Sequence, residues 1–229
     1  MLVWTYVITH DCGGAPNFEP PTTTLTLCAP RVRRQAVPGN LVLAFNGKVV
    51  RGVSGREVHP ERHSVRWAGI VAEVIPLADY WNNPRFEGKK PGQSRGYPDN
   101  IYRSGNSGLE QVQNPTHGPV NMNTDISGAN SLAFRTVWYF GPTAPSLPEH
   151  FGLRMNGGRR TNLCWKIDDP TWHELLRWLD EASALAGPNL FPIADLEGPG
   201  DCTTVSGQEI PRTAQPAARS QAASSARCR

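Results

Sequence analysis

His10 and Asp11 stand side by side where a run of β-branched and aromatic residues, Val3 to Thr9, gives way to a Gly-rich loop. A strand end of this kind keeps its backbone rigid while turning side chains toward a cleft, so the pair is a candidate acid/base couple. An aspartate capping its own turn is the competing reading. A second cluster, Tyr97-Pro98-Asp99-Asn100-Ile101-Tyr102, sets a carboxylate and an amide between tyrosines. Stacking surfaces beside a hydrogen-bonding amide are what a nucleobase pocket requires, although a turn pinned by its tyrosines has the same composition. His117, in the loop Asn114-Pro115-Thr116-His117-Gly118, is a further candidate partner. Arg31, Arg33 and Arg34, together with Lys89, Lys90, Arg95 and Arg103, become phosphate contacts if the middle of the chain folds back on the sheet; otherwise they are solvated loop charges.

Other chemistries lack their residues. His173-Glu174 opens like a zinc-protease helix, but Arg177 stands where the second histidine is needed. His59 and His63 are four apart, with Pro60 interrupting any helix between them. No Walker loop, dinucleotide-binding glycine pattern or serine nucleophile elbow occurs, so neither a metal nor another cofactor is expected. The five cysteines are widely spaced and make neither a zinc knuckle nor a disulfide framework, which fits a reducing cytoplasm. Net charge is +3 in 229 residues, and four arginines against two carboxylates after residue 200 account for +2 of it. A general electrostatic footprint for nucleic acid is therefore absent, and any such contact must rest on local patches. No apolar run is long enough to span a bilayer, and the first apolar stretch lacks the flanks of a secretion signal.

The elements that must position these residues are mostly strands. Val3 to Thr9, Thr23 to Cys28, Leu41 to Phe45, Val65 to Pro76 and Ser131 to Phe140 carry the β-branched and aromatic residues of buried strands. Leu77 to Phe86 reads as a short helix or turn. Pro170 to Ala186 reads as a helix, with Asp169 as N-cap, Trp172, Leu175, Leu176 and Leu179 on one face and Gly187-Pro188 as the stop. Glu87 to Gly128 reads as a long polar loop, of the kind that carries function. Residues 198 to 229 are too poor in large apolar residues to fold and are expected to form a disordered tail after a domain spanning residues 1 to 197. Gly 22 and Pro 21 argue against a helical bundle. The expected class is α+β: a curled, mostly antiparallel sheet or small barrel with a C-terminal helix and long polar loops.

In their order along the chain, several of these stretches resemble one family. They are Tyr6-Val-Ile-Thr-His10-Asp11 with its Gly-Ala-Pro-Asn loop, Thr-Leu-Cys28-Ala-Pro-Arg-Val-Arg-Arg34, and Ala-Asp-Tyr80-Trp81-Asn-Asn-Pro-Arg-Phe86 with Lys89-Lys90-Pro91. Asp99-Asn100-Ile101-Tyr102 and Val137-Trp-Tyr-Phe-Gly141 complete the set. Together they are similar to the nucleotide modification associated domain 2 family over about Val3 to Pro192. Gly39-Asn40 stands where that family usually shows Gly-Asp. The resemblance implies a place in bacterial or phage systems that modify DNA bases, and it carries no assigned reaction. A looser likeness to the small barrels of PUA, ASCH and EVE type, which hold nucleobases in a cleft, bears on the architecture alone.

The expectation is thus a cytoplasmic, membrane-free protein that binds or processes a nucleobase, nucleotide or DNA, with protein partners of a modification system. Its catalytic candidates are His10, Asp11, Asp99 and His117, with Asp11 or Asp99 as general base. Asn100, Tyr102, Tyr97, Arg33 and Arg34 are its substrate-binding candidates. The alternatives are a non-catalytic reader of modified bases and a structural partner in a larger complex.

Overall fold

The computed structural model describes residues 1–52, 57–58, 60–61, 63–115, 117–153 and 162–186; His59 and the expected tail lie outside them. Strand β1 (Leu2–Asp11) is followed by the two-residue β2 (Thr24–Leu25), helix α1 (Pro30–Gln35), β3 (Leu41–Gly52) and β4 (Glu57–Val58). Then come β5 (Val65–Pro76), α2 (Leu77–Asn82), the hairpin strands β6 (Tyr102–Gly105) and β7 (Gly108–Gln111), and α3 (Met122–Ile126). The chain closes with β8 (Asn130–Tyr139), β9 (Leu163–Lys166) and α4 (Asp169–Ala186).

The main sheet runs β2-β8-β5-β3-β1-β9, with β4 added to β3, and every pair is antiparallel except β1 with β3. A parallel pair needs a crossover, and residues 12–40 supply it, carrying β2 to the far edge and laying α1 over one face. The mixed α+β class, the mostly antiparallel sheet and the C-terminal helix match expectation. The sheet is open, with β2 and β9 at its edges, so the barrel alternative is not realised.

Alternation along β1 fills both faces. Trp4, Tyr6 and Ile8 join Trp67, Phe134 and Tyr139 in the core beneath α1, whereas Val3 joins Leu43, Phe45 and Trp138 in the core beneath α4. Helix α4 contributes Trp172, Leu175 and Leu179 to that second core, a stripe at helical spacing. Leu175 and Leu179 are fully buried, and truncating either to Ala would cost about 2–5 kcal/mol. The helix is capped one residue earlier than expected: Asp168, not Asp169, accepts from the Thr171 N–H at 2.9 Å.

Three local expectations change, and each change bears on function. The strand read over Thr23 to Cys28 pairs only at Thr24–Leu25, because the chain leaves the sheet edge and turns at Cys28. The basic stretch after it is the helix α1, started by Pro30 at its first position. The long polar loop of residues 87–128 contains the β6–β7 hairpin and α3. Cys28 is a free thiol, whereas Cys12 and Cys164 are each disulfide-bonded, against the expectation of reduced cysteines throughout. No helix among the described residues is long and apolar enough to cross a membrane.

Candidate functional site

Between β2 and α1 the backbone is forced into a conformation that L-residues avoid. Cys28 has φ 58° and Ala29 has φ 38°, two consecutive left-handed residues without a glycine. Such geometry persists only where the surroundings over-determine it. Here the Cys28 N–H donates to Asp125 Oδ1 at 2.8 Å, and its carbonyl accepts from Arg33 Nε at 2.7 Å. The turn leaves the Cys28 side chain exposed above a buried, rigid base.

Arg33 holds that base together. It is fully buried, and besides Cys28 it donates to the carbonyls of Asn130 at 2.7 Å and Asp125 at 2.5 Å. Burial lowers its basicity, opposed first by the charge of Asp125. Gly128 makes room for it: a Cβ there would sit 2.4 Å from the guanidinium carbon.

His117 follows the hairpin in a turn fixed on both sides. Its N–H donates to Asn114 Oδ1 at 2.8 Å, and its carbonyl accepts from Gln111 Nε2 at 3.0 Å. The ring then bridges two groups from distant parts of the chain. Nε2 lies 3.7 Å from Cys28 Sγ, and Nδ1 lies 2.5 Å from Asp125 Oδ2. The same carboxylate oxygen accepts from the Tyr102 hydroxyl at 2.9 Å, and that hydroxyl accepts from Gln111 Nε2 at 3.2 Å. Tyr102 and Gln111 face each other across the β6–β7 hairpin, so the hairpin grips both the orienting carboxylate and the histidine backbone. Burial disfavours a charged ring at His117, but its hydrogen bonds to Asp125 and Cys28 overcome this and push its pKa up to about 10.

Sulfur, imidazole nitrogen and carboxylate oxygen all lie within 4.8 Å of one another, which raises the possibility of a metal centre. The donor set argues against it. Both Asp125 oxygens are taken by N–H and O–H donors, and His117 Nδ1 faces Asp125. Beyond Sγ and Nε2, a cation would have to share Oδ1 with the Cys28 N–H, and the set falls short of the four protein ligands of a structural zinc site. The order thiol, imidazole, carboxylate is instead that of a nucleophile, its base and the group that orients the base.

Of the residues picked out in the sequence, His117, Tyr102 and Arg33 thus gather around Asp125, and Arg34 reaches the Ser127 carbonyl nearby at 2.9 Å. Asp99 lies in a different network that shares no hydrogen bond with the first among the described residues. It is fully buried; Oδ2 accepts from Thr24 at 2.6 Å and Thr26 at 2.8 Å, and Oδ1 accepts from Tyr80 at 2.9 Å. Lys89, also fully buried, donates to Thr24 and Asn17, and burial lowers its pKa to about 8 against the pull of Asp99 and Glu19. Asn100 donates to the carbonyls of Tyr80 and Phe86, and the Tyr97 carbonyl accepts from Asn17. His10 and Asp11 lie at the end of β1, where His10 Nδ1 is 3.2 Å from Thr9 Oγ1 and Asp11 meets Arg66 and Tyr139.

Two functional candidates escaped the sequence. Cys28 stands two residues before a helix-starting proline, yet nothing in the spacing links it to a base 89 residues away. Asp125 carries no local signal at all. The model of a family described as nucleotide modification associated domain 2 matches residues 1–191 of the chain. No curated protein and no solved structure matches it.

Proposed function

Since the chain belongs to the nucleotide modification associated domain 2 family, and is thereby associated with nucleotide modification, we propose that it is a cysteine-dependent transferase acting on a nucleobase or nucleotide. The observation that carries this reading is the exposed Cys28 thiol, lifted on a left-handed turn 3.7 Å from an imidazole that Asp125 orients.

Cys28 Sγ and His117 Nε2, 3.7 Å apart, share one proton, and its passage to the ring leaves the sulfur as the nucleophile. Acyl transfer is the reaction such a set serves most directly. Cys28 Sγ attacks the carbonyl carbon of an ester, amide or thioester donor and forms a C–S bond. The donor's leaving group departs with the proton of His117 Nε2. The neutral ring then accepts a proton from an amine or hydroxyl of the nucleotide as that group attacks the thioester carbon. The C–S bond breaks, the acyl group stays on the nucleotide, and the thiolate–imidazolium pair is restored. Asp125 holds the ring throughout, with Tyr102 and Arg33 holding Asp125. In this scheme Asp99 and Asn100 are structural, because Thr24, Thr26 and Tyr80 occupy the carboxylate and the Asn100 amide is tied to backbone carbonyls.

The test uses the full chain and an activated ester, p-nitrophenyl acetate, as surrogate donor. The expected result is a burst of one nitrophenolate per chain and one acetyl group mapped by mass spectrometry to Cys28, both lost in Cys28→Ala. A burst that survives Cys28→Ala, or a chain that never acquires an acetyl group at Cys28, would rule out the thiol as nucleophile.

A further inference from the structure

Buried polar atoms without a hydrogen-bond partner occur on two neighbouring strands of the main sheet. Among the described residues, Asp11 Oδ1 at the end of β1 and Asn46 Oδ1 on the neighbouring strand β3 are two of them; His63 Nδ1 and Asn100 Oδ1 lie elsewhere, His63 against Phe45 of the core beneath α4. Orphaned polar atoms are rare in native proteins, and two on adjacent strands call for a polar occupant.

Asp11 and Arg66 are 4% and 3% exposed. Asp11 Oδ2 accepts from the Tyr139 hydroxyl at 2.8 Å and faces Arg66 Nε at 2.7 Å, while Oδ1 receives nothing. Arg66 has five N–H donors, and Asp11 is the side chain they meet among the described residues. The backbone supports the arrangement. The β1–β3 register shifts between Ile8 and His10, and the β3–β5 register shifts opposite Arg66, between Ala44 and Phe45. Bulges of this kind re-aim side chains and recur beside functional sites. The end of β1 borders the core beneath α1: the Tyr139 hydroxyl that donates to Asp11 packs on Phe18, and the neighbouring Tyr6 phenol accepts from Trp67 Nε1 at 2.9 Å.

We propose that Asp11 and Arg66 form the recognition site for the hydrogen-bonding edge of a nucleobase, Asp11 Oδ1 accepting from an N–H and the Arg66 guanidinium donating to the adjacent carbonyl or ring nitrogen. Every nucleobase presents a donor beside an acceptor on that edge, and a carboxylate–guanidinium pair complements it. A phosphate fits poorly, because Asp11 neutralises Arg66 and repels a second anion. The inference rests on the proposed nucleotide substrate and adds which residues read its base.

Calorimetric titration of the full chain with each of the four deoxynucleoside monophosphates tests this, with deoxyribose phosphate as the base-free control. The expected result is binding of at least one nucleotide, weakened about tenfold or more in Asp11→Asn, since a hydrogen bond to a charged acceptor is lost. Deoxyribose phosphate should not bind. If Asp11→Asn loses its cooperative thermal transition, Arg66→Lys takes its place, with a similar loss of affinity expected. The proposal is overturned if no nucleotide binds, if deoxyribose phosphate binds as well as the nucleotides, or if the variant keeps full affinity; in the last case the orphaned oxygen simply holds a buried water. Acetylation of Cys28 followed on the same samples separates the two readings. An acetylated thiol without nucleotide binding sinks the recognition site alone, and nucleotide binding without acetylation sinks the thiol nucleophile alone.

Discussion

Asp125 and Asp99 are near twins in surroundings and opposites in what they can do. Each is a buried carboxylate from the polar middle of the chain, and each accepts from a tyrosine hydroxyl. Around Asp99 the remaining donors are the threonines Thr24 and Thr26, with Lys89 buried behind them, so the network closes on itself. Around Asp125 it stays open: one oxygen holds the Cys28 backbone and the other holds His117, whose far nitrogen faces an exposed sulfur. A buried carboxylate therefore becomes functional through where its hydrogen-bond chain ends, and burial alone does not distinguish the two.

The largest effect should come from cutting the open end. Cys28→Ala is expected to lower turnover of an activated ester by about a thousandfold or more, the scale on which triads lose activity when the nucleophile is removed. Its urea midpoint should barely move, because the side chain is exposed and the backbone bonds to Asp125 and Arg33 survive. Asp99→Ala should do the reverse. Removing it strands the hydroxyls of Thr24, Thr26 and Tyr80 and takes from the buried Lys89 the negative charge that supports it most, a loss of about 3–5 kcal/mol by urea unfolding. Acetylation of Cys28 in the remaining folded fraction should keep its rate. An Asp99→Ala chain that is stable and unreactive would erase the contrast between the two carboxylates.

His117 gives the open network a pH signature opposite in sign to that of Lys89 in the closed one, whose pKa folding lowers to about 8. Its ring faces Asp125 and Cys28, with Tyr102 and Arg33 behind the carboxylate. Folding raises its pKa from the ordinary 6.5 to about 10, so the folded chain holds a proton that the unfolded chain releases first. The stabilisation is complete below about pH 6.5, declines as the pH rises above that value, and is gone above pH 10. Urea unfolding of the intact protein between about pH 6.5 and 8, below the range in which Lys89 loses its proton, should show that decline, and His117→Gln should flatten it.

Periodicity and composition revealed the frame and missed the junctions. β1, β5, β8 and α4 were legible because β-branched runs and a helical stripe report burial directly. α1 was not: Pro-Arg-Val-Arg-Arg-Gln is six residues of mostly charge, and its arginines read as a solvated turn until Arg33 is seen fully buried among backbone carbonyls. The candidate site divides in the same way. His117, Tyr102 and Arg33 stood out by residue type, but their meeting point, Asp125, is one acid in a polar stretch, and its contacts to Cys28 and Arg33 span more than 90 residues. Side-chain hydrogen bonds over such separations leave no pattern in a sequence, whereas packed faces do.

The smallest and sharpest comparison removes one oxygen from each network. In Tyr80→Phe, Asp99 loses one of its three donors; in Tyr102→Phe, Asp125 loses the donor it shares an oxygen with at His117. Each change takes away a buried hydrogen bond to a carboxylate and should cost about 1–3 kcal/mol in urea unfolding, so stability should not tell them apart. Chemistry should. Without the Tyr102 hydroxyl, Gln111 Nε2 loses one of its two acceptors, and the hairpin's hold on His117 shrinks to a single bond to the histidine carbonyl. Acetylation of Cys28 is therefore expected to slow several-fold in Tyr102→Phe and to stay unchanged in Tyr80→Phe. Equal slowing in both would mean that reactivity follows general stability, and the hairpin would lose its positioning role.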